Sequence, residues 1–194
     1  MGNREFLLWL GDVYEQQKDD DRALELYQQA LVIAQEIKDQ KFTASLLMYI
    51  GNILSQNKKY NQVIEIYQQA LPIAQAIPNN KPQESQILVF MGINYFSLKK
   101  YKQAIEIYQQ ALPIAQAIPD NKPQESRILF LMAINYSRLE KHEQAIELYQ
   151  QALTIAQAIP DNKSQESEIL SLMAIDYSSL ENNEQAIELY QQAL

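Results

Sequence analysis

Several residue types are missing or scarce in this sequence of 194 residues. It has no cysteine, which excludes disulfide bonds and thiolate metal sites, and only four glycines, too few for a glycine-rich phosphate loop. The formal net charge is −8, so the clustered lysine and arginine that hold a nucleic-acid backbone or an anionic membrane are lacking. There is also no apolar run long enough for a transmembrane helix. We therefore expect no nucleic-acid or membrane partner and a cytoplasmic location.

What is present is a repeat. The phrase Tyr-Gln-Gln-Ala-Leu begins at Tyr27, Tyr67, Tyr108, Tyr149 and Tyr190, at intervals of 40, 41, 41 and 41 residues. A fixed period of this size indicates a solenoid, in which each unit buries its apolar face by stacking on its neighbours. We predict repeats over residues 3–40, 41–80, 81–121, 122–162 and 163–194, with a shortened second helix in the last.

Each repeat is predicted to be a helical hairpin. Apolar residues recur at helical spacing in two segments, a short turn separates them, and a proline such as Pro160 follows the second. Asn162 and Gln165 have the spacing of a capping box, as do the equivalent residues from Asn80 and Asn121. Although Pro72 and Pro113 fall inside second helices, we expect those helices to continue with a kink.

Small residues recur at fixed positions and indicate close helix crossings. The first helices carry Gly11, Gly51, Gly92, Ala133 and Ala174, and the second helices repeat Ala at two positions, with Val63 as one exception. With these residues, Leu7-x-x-Leu10-Gly11-x-x-Tyr14 followed by Ala23-x-x-x-Tyr27-x-x-Ala30 resembles the tetratricopeptide (TPR) pattern.

The resemblance covers essentially the whole chain and is similar to the long-repeat class of kinesin light chains and bacterial arrays. It implies an all-α solenoid, a right-handed superhelix of antiparallel hairpins. The period alone also suits HEAT repeats, but the paired small residues fit the TPR pattern better.

No residue pattern predicts catalysis, a cofactor or a metal site. The single histidine, His142, occupies a position held by tyrosine or asparagine in other repeats, and we interpret it as a solvated residue at a helix start. One glutamate recurs in each second helix (Glu25, Glu65, Glu106, Glu147 and Glu188), at a spacing too wide to share an ion. We expect a solvated face and no enzyme activity.

By resemblance, the first helices line a concave surface that binds peptides. At 100° per residue one stripe of each first helix faces that surface. The residues of this stripe differ between copies, although the repeats as a whole are alike: 31 of 41 positions are identical between 101–141 and 142–182. The predicted partner-binding residues are Leu8, Asp12, Met48, Asn52, Val89, Ile93, Phe96, Arg127, Phe130, Ile134, Arg138, Ser171 and Ile175.

This stripe predicts a protein-interaction scaffold that binds a peptide or helix with an apolar centre, with basic residues near the first repeat and a carboxylate near the fourth. The TPR proteins that bind the acidic C-terminal tails of chaperones use Lys and Asn residues of successive first helices. Of these, only Asn52 is present in this sequence, so the resemblance does not imply that activity. The alternative function is self-association, a homo-oligomer in which the terminal repeats of two chains stack head to tail.

Overall fold

The computed structural model describes residues 2–194, which form ten α-helices and no β-strand. The helices are α1 (Asn3–Gln16), α2 (Asp20–Glu36), α3 (Gln40–Gln56), α4 (Tyr60–Ala76), α5 (Lys81–Ser97), α6 (Tyr101–Gln116), α7 (Lys122–Arg138), α8 (His142–Gln157), α9 (Lys163–Ser179) and α10 (Asn183–Ala193). None of the described helices is long and apolar enough to cross a membrane.

The fold is an all-α solenoid of helical hairpins, and it divides into two compact units, Met1–Asn94 and Tyr95–Leu194. In the first unit α1 packs on α2, α2 on α3 and α3 on α4. In the second unit the same succession joins α6 to α7, α7 to α8, α8 to α9 and α9 to α10. Each unit has its own core.

A tyrosine from each of the second helices α2, α4, α6 and α8 is buried at the centre of the packing, and Tyr27 and Tyr67 lie against a glycine of the first helix. A Cβ placed on Gly11 would lie 2.4 Å from Tyr27 Cε1, and one on Gly51 would lie 2.5 Å from Tyr67 Cε1. These rings fill the space that the missing side chain leaves, which explains why small residues recur there. The predicted close crossings are confirmed in the first unit.

Each helix-to-helix turn contains a single residue in the left-handed conformation, and none is glycine. After α3, Lys58 has φ 57°, its N–H donates to Ser55 O, and the N–H of Lys59 donates to Leu54 O. This is a Schellman motif, which satisfies carbonyls at the helix end. The same motif occurs at Lys18, Lys38, Lys99, Glu140 and Glu181. Asn79, Asp120 and Asp161 adopt the same conformation in the longer turns, directly after a proline.

Helices α4 and α6 run through Pro72 and Pro113 without a break, as predicted. The prediction for the capping boxes is wrong. Asn162 makes no side-chain cap bond. Its Nδ2 instead donates to Ala156 O at 3.2 Å and to Gln165 Oε1 at 3.0 Å, so the amide ties the end of α8 to the start of α9.

The prediction for His142 is also wrong. Its Nδ1 lies 2.5 Å from Oδ1 of Asp176, a residue of α9 that is only 1% exposed. Ser137 Oγ of α7 donates to the same oxygen at 2.7 Å. His142 is therefore part of a buried polar junction between three helices. The glutamates of the second helices are exposed, as predicted.

Candidate partner-binding site

The hydroxyl groups of the core tyrosines lie beside the predicted stripe. Tyr27 Oη contacts Asp12 Oδ1 at 2.6 Å and Glu15 Oε2 at 2.9 Å, although one phenol proton can serve only one of them. Burial, and then hydrogen bonds to these carboxylates, raise the pKa of Tyr27. The two acids and the partly exposed Tyr49 form an anionic, aromatic surface.

In the next hairpin the equivalent contact is neutral. Tyr67 Oη donates to Asn52 Oδ1 at 2.9 Å, which turns the Asn52 amide N–H groups away from the core. Burial raises the pKa of Tyr67. The tyrosine therefore orients a polar side chain of the stripe.

A cavity of about 460 Å³ lies between the first helices α3 and α5. Met48 and Asn52 line it, together with Gln83, whose Nε2 donates to Ser45 Oγ at 3.3 Å and contacts Met48 Sδ at 3.5 Å. Asn80 Nδ2 donates to Gln83 Oε1 at 2.7 Å and holds this amide in place. The remaining lining residues are Lys41, Tyr49, Pro82 and Gln86.

A second cavity, of about 440 Å³, lies between the first helices α7 and α9 of the second unit. Arg127, Phe130 and Leu131 of α7 form one side with Pro123, and Gln165 and Glu168 of α9 form the other. Gln165 Nε2 donates to Ser126 Oγ at 3.3 Å. This interhelical bond is similar to the one from Gln83 in the first unit, although Ser126 lies one position before the equivalent of Ser45. Both volumes are in the range of ligand pockets.

The predicted residues differ in exposure. Val89 and Phe130 are buried, at 2% and 7% exposed, and the Phe130 ring packs on Tyr149 with 6.0 Å between centroids. Arg127, Arg138 and Ile175 are exposed. The partly exposed members are Leu8, Asp12, Met48, Asn52, Ile93, Phe96, Ile134 and Ser171.

The structure brings some of the predicted residues into shared cavities and leaves others apart. Met48 shares a cavity with Asn52, and Arg127 shares one with Phe130. Phe96 packs on Tyr101 instead, with 5.6 Å between ring centroids. The sequence prediction missed Gln83 and Gln165, although the recurring Asn-x-x-Gln motif was the signal that could have found them.

The described residues contain no group of three His, Cys, Asp or Glu side chains that could hold a metal ion. The two cavities offer amide, hydroxyl, apolar and a few charged groups that are available for contact and hydrogen bonding.

Solved structures share this fold. BtubC (BKLC) from P. vanneervenii matches with TM-score 0.86 and 19% identity, over 97% of this chain and 77% of that one. RapI in its apo form matches with TM-score 0.91 and 16% identity over 99% of this chain and 69% of that one. The nearly identical TPR-like repeats of a Podospora anserina putative kinesin light chain match with TM-score 0.81 and 16% identity, over 100% and 95% of the two chains.

At these identities the structural matches show the fold alone, and no curated protein matches the sequence. The tetratricopeptide repeat family model matches residues 4–76, 83–158 and 124–194. This family and this fold indicate a protein-interaction scaffold. The chain belongs to the tetratricopeptide repeat family.

Proposed function

We propose that this protein binds an extended peptide, with apolar side chains at its centre, across the first helices of each unit. The observation that carries the proposal is the position of the two cavities: each lies between consecutive first helices, α3 and α5 or α7 and α9. Partly exposed apolar residues such as Met48 and Ile134 lie on the same helices. The ordering cost of association limits affinity to roughly micromolar order.

The acidic side chains of α1 favour a partner with a basic residue in the segment that contacts this helix. Asp12 and Glu15 converge on Tyr27 Oη, and neither forms an ion pair with any of residues 2–194. A lysine or arginine side chain would compensate both carboxylates and could rest on the ring of Tyr49.

The test is selection of short random peptides on the purified protein, followed by affinity measurements on variants. Met48→Ser together with Ile134→Ser should weaken the selected peptides at least about tenfold, because each buried apolar contact contributes roughly 1.5 kcal/mol or more. Val32→Ser is the control, since Val32 is 53% exposed on the second helix α2. If the double variant binds as well as the control, the proposal is wrong.

Phe130→Ser is not a suitable probe. This ring belongs to the core of the second unit, beside Tyr149. Its truncation would cost about 3–5 kcal/mol of stability and confuse lost binding with lost folding.

A second candidate function is self-association through the outer face of α1. Trp9 is 55% exposed and Phe6 47% exposed, with 6.1 Å between their ring centroids. The residue equivalent to Trp9 in α3 is Tyr49, and it packs on Tyr27 of α2 with 5.3 Å between centroids. We propose that α10 of a second copy covers α1, because its Tyr190 is the equivalent of Tyr27 and is 43% exposed.

Light scattering over a range of concentrations tests this second function. The mass should rise with concentration, and Trp9→Glu should return the protein to a monomer while Val32→Ser does not. A monomer at every concentration would contradict it.

A further inference from the structure

The cavity between α7 and α9 carries two opposite charges that no side chain compensates. Arg127 and Glu168 are both exposed and line opposite sides of it. Neither forms an ion pair within the described residues 2–194. The charge of Arg127 acts to lower the pKa of Tyr108, and the charge of Glu168 acts to raise the pKa of Tyr149. Both effects are smaller than that of burial.

The positions equivalent to Arg127 and Glu168 in the other three first helices carry no uncompensated charge. Ser45 and Gln86 hold the position in α3 and α5 and carry no charge. Glu5 holds it in α1, but Arg4 Nε donates to Glu5 Oε1 at 3.0 Å. Among these equivalent positions, only Arg127 and Glu168 carry charges without an ion-pair partner in the described part of the chain, and both line the second cavity. Phe130 and Leu131 form the apolar floor of that cavity.

The spacing suits an extended peptide. Packed helices lie about 8–10 Å apart, and the long side chains of Arg127 and Glu168 allow a somewhat wider span. In an extended chain, alternate residues face the same side and are about 6.6 Å apart. Residues i, i+2 and i+4 can then contact the arginine, the apolar floor and the glutamate in turn.

We infer that this cavity selects a peptide with the pattern acidic-x-apolar-x-basic, read in either chain direction, with the acid on Arg127 and the base on Glu168. The inference rests on the proposed function and specifies the chemistry of the partner at one position. The apolar residue provides contact area, whereas the charges provide discrimination, because like charges placed together repel.

The experiment compares three labelled peptides that differ only in their charges: Asp-x-Leu-x-Lys, Asp-x-Leu-x-Asp and Lys-x-Leu-x-Lys, with Ser at each x. The wild-type protein should prefer the mixed peptide by about two- to fivefold for each mismatched charge, and the preference should shrink as salt is added. A peptide with Ser in place of Leu is the control for the apolar floor.

Charge-reversed variants make the test sharper. Arg127→Glu should prefer the doubly basic peptide, and Glu168→Lys the doubly acidic one. The variant that combines both changes should recover the mixed preference, because the peptide can bind in the opposite direction. None of these exposed positions belongs to the core, so folding should be unaffected.

The outcomes separate this inference from the proposed function. If the three charged peptides bind equally and the peptide with Ser in place of Leu binds more weakly, groove binding stands and the charge selection is overturned. If no peptide binds any variant at this cavity, both are overturned. A preference that follows the reversed charges supports both.

Discussion

At the scale of single residues, the core tyrosines join the packing of a hairpin to the polar residues of its first helix. The same side chain fills the hairpin and presents its hydroxyl to the first helix, where the partner residue changes from copy to copy. Tyr67 Oη has Asn52 as its acceptor, whereas Tyr108 Oη is buried without a hydrogen-bond partner. Because an unpaired buried hydroxyl is costly, the two tyrosines should respond differently to loss of that group.

Tyr67→Phe should lower the free energy of unfolding by about 0.5–1.5 kcal/mol, because a buried hydrogen bond is lost. Tyr108→Phe should leave it unchanged or raise it, because only an unsatisfied hydroxyl is removed. Chemical denaturation of the two matched variants measures the difference. Equal losses in both would contradict the assigned hydrogen bonds.

The junction of His142 and Asp176 is the second feature at this scale. Asp176 replaces the asparagine found at the equivalent positions Asn94 and Asn135, and its Oδ2 is buried without a partner. A buried carboxylate is tolerated only with compensation. His142 and Ser137 supply it at Oδ1.

His142→Ala should therefore destabilise the protein by roughly 2–3 kcal/mol, near the low end for breaking a buried pair, since the imidazole is partly exposed. Adding Asp176→Asn should recover most of the lost stability, because it removes the buried carboxylate that no longer has a histidine partner. Thermal or denaturant unfolding of the two variants gives the comparison. A double variant no more stable than His142→Ala would show that the pair does not act as a unit.

At the scale of helices and turns, the Schellman motifs use residues with side chains where glycine is preferred. Lys58 and Lys99 adopt φ 57° and 58°. For an L-residue that conformation costs about 1–2 kcal/mol, a cost that glycine avoids. The scarcity of glycine in the sequence therefore coincides with mild strain in the turns.

Lys58→Gly should raise the free energy of unfolding by about 0.5–1 kcal/mol, since the gain at φ 57° exceeds the added freedom of the unfolded chain. Gln69→Gly is the control, because Gln69 is exposed inside α4, where glycine should destabilise the protein by about 1 kcal/mol. Urea unfolding of both variants distinguishes them. A loss of stability at Lys58 would contradict the account of the turns.

The elements also show how far the sequence predicts this molecule. The period, the hairpins and the small residues at the helix crossings follow from local rules. The continuous helix through Pro72 goes against the local rule for proline and was predictable only from the equivalent residues of other repeats, Val32 and Thr154. The junction of His142 with Asp176 does not follow from local rules, because its two residues lie 34 positions apart and meet only when α8 packs on α9.

Burial within the stripe was equally hard to predict. Helical geometry assigns Phe130 and Arg127 to the same side of α7, but it does not say how each side chain leans. Phe130 packs down on Tyr149, whereas Arg127 extends outward. The Asn-x-x-Gln motif forms no capping box for a related reason: the amide of Asn162 has a carbonyl acceptor on the preceding helix, which only the fold brings near.

At the scale of the whole molecule, buried tyrosines in both units predict alkaline unfolding. Burial is the main cause that raises the pKa of Tyr27, Tyr67, Tyr108 and Tyr149 above the ordinary value of about 10. The folded state holds these protons more tightly than the unfolded state. The resulting stability is complete below pH about 10 and is lost as the pH rises above it.

Tyrosinate absorbance and circular dichroism, followed together through an alkaline titration, test this. The four buried tyrosines should ionise together with the loss of helix. Ionisation of all tyrosines near pH 10 with the helices intact would contradict their burial.

We propose a constant frame of hairpins that presents a variable, peptide-binding stripe on its first helices. Hydrogen exchange with and without a saturating Asp-x-Leu-x-Lys peptide tests it most directly. We expect protection in α7 and α9 that disappears when Ser replaces the Leu of the peptide and is retained in Val32→Ser. Protection confined to the second helices, or identical with the two peptides, would contradict this.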